Sequence, residues 1–417
     1  MASHGIPRTS AAPQKSEEAR RKELEEIKRY QNLVEEVNRE VSARNYTPTL
    51  LRQTAELLKQ NPEYYTIWNH RRRIYAHEFA TLNAALKDDS LTQPDRDSQI
   101  LDIIKLDLQF LFPLLLKFPK CYWIWNHRLW LLNSSTDLLP PEVARRLWEE
   151  DFVLVGKMLD RDSRNFHGWG YRRTIVAALE GTKLAPKTKS SEKDEEKSRK
   201  KGTSMAQSEL DYTTKMIKSN LSNFSAWHNR TLLIIRTLNE QNATDLERKH
   251  MFEEELKLIH SALFDPYDAS LWSYHMTLLC TLDPLTSSTT MAPNLSPAER
   301  MQYLESEKSF ILEMLDEDYP STSEDEGPNP KDSNKEEEEE AGEGADDCKW
   351  VYQRLIDIVM IIARVRSTTT SSPGETCSTD LTVQERKELK RWLKKLHDLD
   401  PLRKGRWRDF QIKLGSD

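Results

Sequence analysis

The stretch FPKCYWIWNHRLWLL, residues 118–132, contains a motif that recurs along the chain. The motif is an aromatic residue, a tryptophan three positions later and an arginine three positions after that, here Tyr122, Trp125 and Arg128. The tryptophans of the first five copies are 44 to 58 residues apart, which indicates a unit of about 45 residues with insertions. The other copies are NPEYYTIWNHR (61–71), DSRNFHGWGYR (162–172), NLSNFSAWHNR (220–230), DPYDASLWSYH (265–275) and a weaker sixth, DPLRKGRWRDF (400–410).

The recurring positions predict two helices in each unit. Proline stands six residues before the tryptophan in four copies and ends the first helix, because the residue before proline is pushed out of the α region. Asn165, Asn223 and Asp268, four before their tryptophans, are predicted N-caps of the second helix. No useful length of the chain alternates with period two. We therefore predict an all-α solenoid of stacked helical hairpins.

Tryptophan and arginine three residues apart share one face of the second helix. We expect the ring to fill the gap between neighbouring hairpins and the guanidinium to bond the adjacent loop. The predicted structural anchors of the repeats are Trp68, Arg71, Trp125, Arg128, Trp169, Arg172, Trp227, Arg230, Trp272 and Trp407. His275 replaces the arginine of the fifth copy, which predicts a looser fifth repeat.

Composition shifts predict the domain organisation. Residues 183–201 hold eight basic and four acidic residues, and residues 321–347 hold twelve acids and two lysines, so both segments are predicted to be disordered. The predicted parts are a flexible tail (1–18), the repeat solenoid (19–280) with a disordered insertion (181–205), a mostly disordered acidic linker (281–348) with a helix near 297–316, and C-terminal helices with the last repeat (349–417). Val383–Leu399 is predicted to be an amphipathic helix.

Composition excludes several function classes. Glycine is scarce, 12 of 417 residues, which argues against a glycine-rich nucleotide-binding fold. The net charge of −7 comes from the acidic segment, so nothing favours nucleic-acid binding. The four cysteines are too scattered for a disulfide framework, no apolar stretch is long enough for membrane insertion, and a cytoplasmic location is expected.

Histidines recur near the motifs at positions 70, 127, 167, 228 and 275. They come from different repeats and lack metal-binding spacing, so we predict no metal site in this chain. The sequence also contains no nucleophile elbow and no phosphate-binding loop. A complete active site within this chain is therefore not expected.

The repeated aromatic-x-x-Trp-x-x-Arg unit resembles the α subunits of protein prenyltransferases, strongly over residues 61–275. The resemblance implies a right-handed α-α superhelix that wraps around a β subunit to form a heterodimer. It also implies that zinc, held by the β subunit and not by this chain, activates the acceptor thiolate. The implied isoprenoid donor is geranylgeranyl diphosphate.

Within that family the chain is most similar to the compact, fungal-like Rab type, the type II geranylgeranyltransferases. YWIWNHRLWLL (122–132) and NFHGWGYRR (165–173) are the most similar stretches, and His4-Gly5 resembles the Rab-type start. Trp123 stands where the farnesyltransferase pattern has a glutamine that holds the CaaX carboxylate. The resemblance thus implies transfer to the C-terminal cysteines of Rab GTPases (CC, CXC or CCXX) presented by a Rab escort protein.

The resemblance also implies site residues. Lys120 matches the family lysine that reaches the diphosphate, and its ammonium would stabilise charge on the leaving group. Tyr122 and His167 match positions that line the same cleft. His4 is a speculative ligand of the partner's zinc, beside the plainer interpretation of a tail without a role.

Two alternatives stay open. The chain could be the α subunit shared by CaaX farnesyltransferase and type I geranylgeranyltransferase, against which Trp123 argues. It could instead be a non-catalytic helical-repeat scaffold that binds a protein partner. Lys120 within its motif argues against a scaffold, which needs no lysine there.

Overall fold

The computed structural model describes residues 16–184, 204–315, 345–370 and 381–414, without the side chains of residues 369 and 370. These residues form fifteen α-helices, three short 3₁₀ turns and no strand, which confirms the all-α prediction. None of the described helices combines the length and the apolar character needed to cross a bilayer. The helices are α1 Glu17–Ser42, α2 Pro48–Gln60, α3 Tyr65–Lys87, α4 Gln93–Lys117, α5 Tyr122–Leu138, α6 Pro141–Arg161, α7 Phe166–Glu180, α8 Ala206–Ser219, α9 Phe224–Glu240, α10 Asp245–Ala262, α11 Ala269–Leu282, α12 Pro297–Leu312, α13 Lys349–Thr370, α14 Val383–Leu399 and α15 Lys404–Lys413.

The chain divides into two compact units, Met1–Thr203 with α1 to α7 and Ser204–Asp417 with α8 to α15. From α2 onward, consecutive helices pack in pairs, α2 with α3 through α14 with α15. We call the pairs repeats 1 to 7, and the first and second helix of each pair its A and B helix. Within each unit the B helices of neighbouring repeats also touch, α3 with α5, α5 with α7, α9 with α11 and α11 with α13. This packing confirms the predicted solenoid of hairpins inside each unit.

Side-chain caps fix where several B helices begin. The Asn165 side chain accepts hydrogen bonds from the backbone N–H groups of residues 167 and 168 at 3.0 and 3.3 Å. Asn223 and Asp268 cap α9 and α11 in the same way, so the predicted N-caps are confirmed. The predicted amphipathic helix over Val383–Leu399 is also confirmed, and Thr382 caps it.

Residues 281–315 and 345–348 of the predicted linker are folded, so more than half of the linker is ordered and not disordered as predicted. Met291 and Ala292 are buried, and Arg300 donates hydrogen bonds to the carbonyls of Pro293 and Leu295 at 2.7 and 2.9 Å. At the edge of the predicted insertion, Leu184 is buried in a 3₁₀ turn. Residues 185–203 of the predicted insertion, 316–344 of the predicted linker and 1–15 of the predicted tail lie outside the described residues.

Candidate functional site

Each of the first five motif tryptophans is buried and makes the same hydrogen bond. Its indole N–H donates to the backbone carbonyl six residues earlier, in the turn between the A and B helices. The carbonyl belongs to proline in three repeats but not in the other two, so the bond needs the turn and not the proline ring. The pairs are Trp68 to Pro62 (2.8 Å), Trp125 to Pro119 (2.9 Å), Trp169 to Ser163 (2.9 Å), Trp227 to Leu221 (2.7 Å) and Trp272 to Pro266 (2.6 Å).

Three of the motif arginines, Arg71, Arg128 and Arg230, pair with buried carboxylates, not with a loop as expected. Arg128 donates to both oxygens of Asp151 at 2.7 and 2.6 Å. Arg230 does the same to Glu255 at 2.8 and 2.5 Å, and Arg71 binds Asp107. In each case the carboxylate lies on the A helix of the next repeat. The arginine therefore joins two neighbouring repeats through a charge-assisted, two-point contact.

A second donor completes each of these carboxylate sites. It stands two residues after the tryptophan of the carboxylate's own repeat: His127 on Asp107, Tyr171 on Asp151 and Tyr274 on Glu255. The same donor rings pack on the tryptophan of the preceding repeat, with centroids 5.0, 5.1 and 4.5 Å apart. Each joint thus combines indole packing with a fully bonded carboxylate.

The electrostatics of the first joint are set by burial and by Arg71. Burial alone would raise the pKa of Asp107, but Arg71 and the hydrogen bond from His127 outweigh it and lower that pKa to about 2. Burial lowers the pKa of His127. Arg72 donates to His127 Nδ1 at 3.2 Å, so the neutral ring keeps its proton on Nε2, facing Asp107. An ionised carboxylate and a neutral imidazole result.

Motif alignment missed these carboxylates, although a signal exists. Asp107, Asp151 and Glu255 stand 17 or 18 residues before the tryptophan of their repeat, on the apolar face of an A helix. An acid on such a face is costly to bury unless it is paired. The spacing could therefore have identified the partner of each arginine.

Repeat 6 escaped detection because tyrosine replaces its tryptophan. The Tyr352 hydroxyl donates to the Asp346 carbonyl, again six residues earlier, at 3.0 Å. Cys348 donates to the Pro266 carbonyl of the preceding repeat at 3.0 Å. Cys121 donates in the same way to the Pro62 carbonyl of the repeat before its own. The weak sixth motif, residues 400–410, is consequently repeat 7.

The last repeat lacks the indole bond. Trp407 is buried, but its N–H has no hydrogen-bond partner within the described part of the chain. A 3₁₀ turn, Pro401–Arg403, occupies the position of the open turn found in the earlier repeats. The tighter turn accompanies the loss of the bond.

His275 does not loosen the fifth repeat. It is fully buried, and its Nε2 lies 2.8 Å from Oε2 of Glu307 on α12, the A helix of repeat 6. His275 thus makes the contact to the next repeat that arginine makes elsewhere, and the prediction of a looser repeat is wrong.

In the four repeats that have an aromatic residue three before the tryptophan, that residue is exposed, whereas the tryptophan and arginine of the motif are buried. It is the first residue of its B helix, as in α3, α5 and α7 of the first unit. Tyr65, Tyr122 and Phe166 are 54%, 51% and 68% exposed, and Trp123 packs on Tyr65 with centroids 5.4 Å apart. We call these four residues the aromatic edge. Such a cluster on an exposed rim is typical of a contact surface.

The structure places the three predicted site residues together beside this edge. Lys120 lies in the turn before α5, Tyr122 begins α5, and His167 is the second residue of α7. The rings of Tyr122 and His167 are 6.1 Å apart, and the His167 imidazole lies close enough to the Lys120 backbone for that backbone to act on its pKa. The Lys120 side chain is 72% exposed, with Nζ 3.6 Å from an Asp162 carboxylate oxygen. Their part in catalysis stays a prediction, and His4 lies outside the described residues.

The imidazole of His167 is neutral near pH 7. Burial lowers its pKa, and Glu63 and the hydrogen bond with the Lys120 backbone only partly offset that effect. A neutral imidazole has one N–H that can donate and one nitrogen that can accept, and this second nitrogen can donate only after protonation.

Comparisons with known proteins agree with this architecture. The protein prenyltransferase alpha subunit repeat matches residues 49–78, 104–135, 148–179 and 206–236, which fall in repeats 1 to 4. The Geranylgeranyl transferase type-2 subunit alpha of Candida albicans is 37% identical over 306 residues, 66% of this chain and 72% of the relative. The protein of the same name from Schizosaccharomyces pombe is 30% identical over 421 residues, 99% of both chains.

A solved structure supports the fold alone. The structure described as Candida albicans protein geranylgeranyltransferase-I complexed with GGPP matches 93% of this chain and 90% of its own with a TM-score of 0.51 and 18% identity. Two findings identify the family more specifically than this structure does: the matched repeats, and the Schizosaccharomyces pombe relative, which is similar over 99% of its length. On these grounds the chain belongs to the family of geranylgeranyl transferase type-2 alpha subunits.

Proposed function

We propose that this chain pairs with a prenyltransferase β subunit and that the pair transfers geranylgeranyl from geranylgeranyl diphosphate to C-terminal cysteines of Rab GTPases presented by a Rab escort protein. The names of the relatives support the type of transfer. The observation that favours a part in the chemistry is the grouping of Lys120, Tyr122 and His167 at one exposed place.

The proposed reaction needs a cation at the leaving group. The cysteine sulfur attacks C1 of the isoprenoid, the C1–O bond breaks, and the diphosphate leaves with the electron pair. The thiol proton goes to solvent. An ammonium placed beside the diphosphate stabilises the charge that develops on it.

Lys120 is suited to this task by its exposure and its loose pairing. The side chain is 72% exposed, and 3.6 Å to Asp162 is long for a charge-assisted hydrogen bond. An exposed pair of this kind contributes little to stability, so turning Nζ toward a diphosphate costs little. Buried Arg128, with two short bonds to Asp151, has no such freedom.

Tyr122 and His167 have supporting roles in the proposal. The Tyr122 hydroxyl is a donor for a phosphate oxygen, and half of the side chain is exposed. His167 lies beside the Lys120 backbone and the Tyr122 ring, so in this proposal its neutral form is a positioning residue. A diphosphate nearby would favour protonation of the ring and release a second donor.

The aromatic edge supports a contact with the β subunit. Tyr65, Tyr122 and Phe166 are exposed beside Lys120, and burying such rings against a partner is favourable. The partner's zinc would lower the pKa of the acceptor thiol. In this proposal the chain described here supplies the lysine and its supporting groups.

The purified heterodimer tests the substrate class. We expect transfer to a Rab ending in two cysteines when escort protein is present, and no transfer to a CaaX peptide. Efficient modification of the CaaX peptide would favour the shared α subunit instead. Failure of this chain to form a complex with any zinc-containing β subunit would favour the scaffold.

A further inference from the structure

Two histidines and a glutamate from three helices of the second unit meet in one place. His260 lies on α10, His275 on α11 and Glu307 on α12. The Nε2 atoms of the two histidines lie 3.0 and 2.8 Å from the same oxygen, Oε2 of Glu307. His275 and Glu307 are buried, whereas the His260 side chain is 28% exposed. The cluster therefore has a buried floor and one side open to solvent.

This joint differs from the Arg71, Arg128 and Arg230 joints in its donors. There, a guanidinium with a permanent charge neutralises the carboxylate. In this joint His275 stands at the motif position where the other joints have arginine. His260 adds a second imidazole that contacts the same Glu307 oxygen. Imidazoles, unlike a guanidinium, bind metal ions when they are neutral.

The protonation states suit metal binding. Burial lowers the pKa of His275, which favours the neutral imidazole. Burial would raise the pKa of Glu307, but hydrogen bonds from His260 and His275 outweigh it and lower that pKa. A neutral imidazole and an ionised carboxylate are the forms in which both groups are ligands.

The distances are also close to those of a metal site. One ligand atom from each of the three residues lies within 4.8 Å of the other two. Ligands at about 2.0–2.1 Å in a tetrahedron are about 3.3 Å apart, so the two N–O distances of 3.0 and 2.8 Å need to lengthen by only a few tenths of an ångström. The nearby Arg354 is a cation that would oppose the ion, but it pairs with Asp357 at 2.9 Å.

We propose that His260, His275 and Glu307 bind one divalent metal ion of the zinc class. Two imidazoles and one carboxylate, with water in the fourth position on the His260 side, form a known zinc ligand set. The ion would join α10, α11 and α12, replacing the arginine contact between repeats 5 and 6. The inference does not depend on the proposed function.

Metal titration of the full chain tests the site. The chain is stripped with a chelator, and Zn²⁺ binding is followed by calorimetry and Co²⁺ binding by its visible absorption. We expect one equivalent to bind and the cobalt spectrum to indicate nitrogen and oxygen ligands. His4→Ala should bind the ion equally well, because the proposed ligands do not include His4.

Three variants separate ligand loss from misfolding. His260→Ala, at the partly exposed ligand, should lower the affinity roughly tenfold or more with the circular dichroism unchanged. His275→Arg should restore the arginine–carboxylate contact of the other joints, fold normally and bind no ion. His228→Ala, at an exposed histidine on α9, is the matched control and should behave as the unchanged chain. The proposal would be overturned if the folded wild-type chain bound no ion. It would also be overturned if His260→Ala and His275→Arg bound the ion as tightly as the wild type does.

Discussion

Arg128 and Asp151 form a buried two-point ion pair between neighbouring repeats, with N–O distances of 2.7 and 2.6 Å. The Tyr171 hydroxyl also donates to Asp151, so the carboxylate has three hydrogen bonds from two repeats. Burial disfavours a charged arginine, yet Asp151 raises the pKa of Arg128 above its ordinary value. The pair is thus charged on both sides and fully bonded, as a buried ion pair must be to persist.

The first prediction concerns this pair. Arg128→Met should lower the free energy of unfolding by about 3–5 kcal/mol, because it leaves the Asp151 carboxylate buried without its cation. Arg128→Met combined with Asp151→Leu should cost less than the single change, since no charge is left unpaired. Urea unfolding of the wild type, both single variants and the double variant measures these values. A double variant as unstable as the sum of its two single changes would contradict the pairing.

The second prediction concerns the indole hydrogen bond. In Trp227→Phe the Leu221 carbonyl loses its hydrogen-bond donor, which lies at 2.7 Å. This loss should lower the free energy of unfolding by about 1–3 kcal/mol, in addition to the effect of the smaller ring. Trp407→Phe is the matched control, since the N–H of Trp407 has no partner in the described segments. Thermal or urea unfolding compares the two. Equal losses would show that the indole bond contributes nothing.

The third prediction concerns acid. The pKa of Asp107 is about 2 in the folded chain, below the ordinary value of about 3.9 for an unfolded chain. A depressed pKa means that the carboxylate contributes stability above about pH 4, and that this contribution is lost as the pH falls toward 2. The stability difference between the wild type and Asp107→Asn should therefore shrink over that interval. Unfolding curves at a series of pH values check it, and a difference independent of pH would rule out this carboxylate.

The fourth prediction concerns repeat 6. Tyr352→Phe removes only the hydroxyl that bonds the Asp346 carbonyl at 3.0 Å, so the free energy of unfolding should fall by about 1 kcal/mol. Tyr30→Phe on α1 is a control at a tyrosine whose hydroxyl only accepts a long bond from Asn61, 3.4 Å. Tyr352→Phe with no loss would remove the argument that this tyrosine replaces the motif tryptophan.

The repeat could be predicted from sequence because large rings at a fixed spacing leave a visible pattern. Trp68 and Trp272 are recognisable in this way, and so are the caps Asn165 and Asn223. The resemblance also led to Lys120, which the structure places beside His167.

Other features depend on contacts between distant residues, which spacing within one motif does not show. Asp151 joins Arg128 from another helix, and Tyr352 is separated from its A helix by an insertion. Glu307 likewise gathers two histidines from separate helices, so the sequence did not predict a cluster there. In each case the tertiary structure supplies the partner.

Single-turnover transfer of geranylgeranyl to a Rab protein by the heterodimer tests the central claim most directly. Lys120→Ala should assemble normally and slow the chemical step by about 10²-fold, because one fixed donor to the leaving diphosphate is lost. Lys117→Ala, at an exposed lysine three residues earlier at the end of α4, should leave the rate unchanged. An unchanged rate for Lys120→Ala in an intact heterodimer would contradict the account.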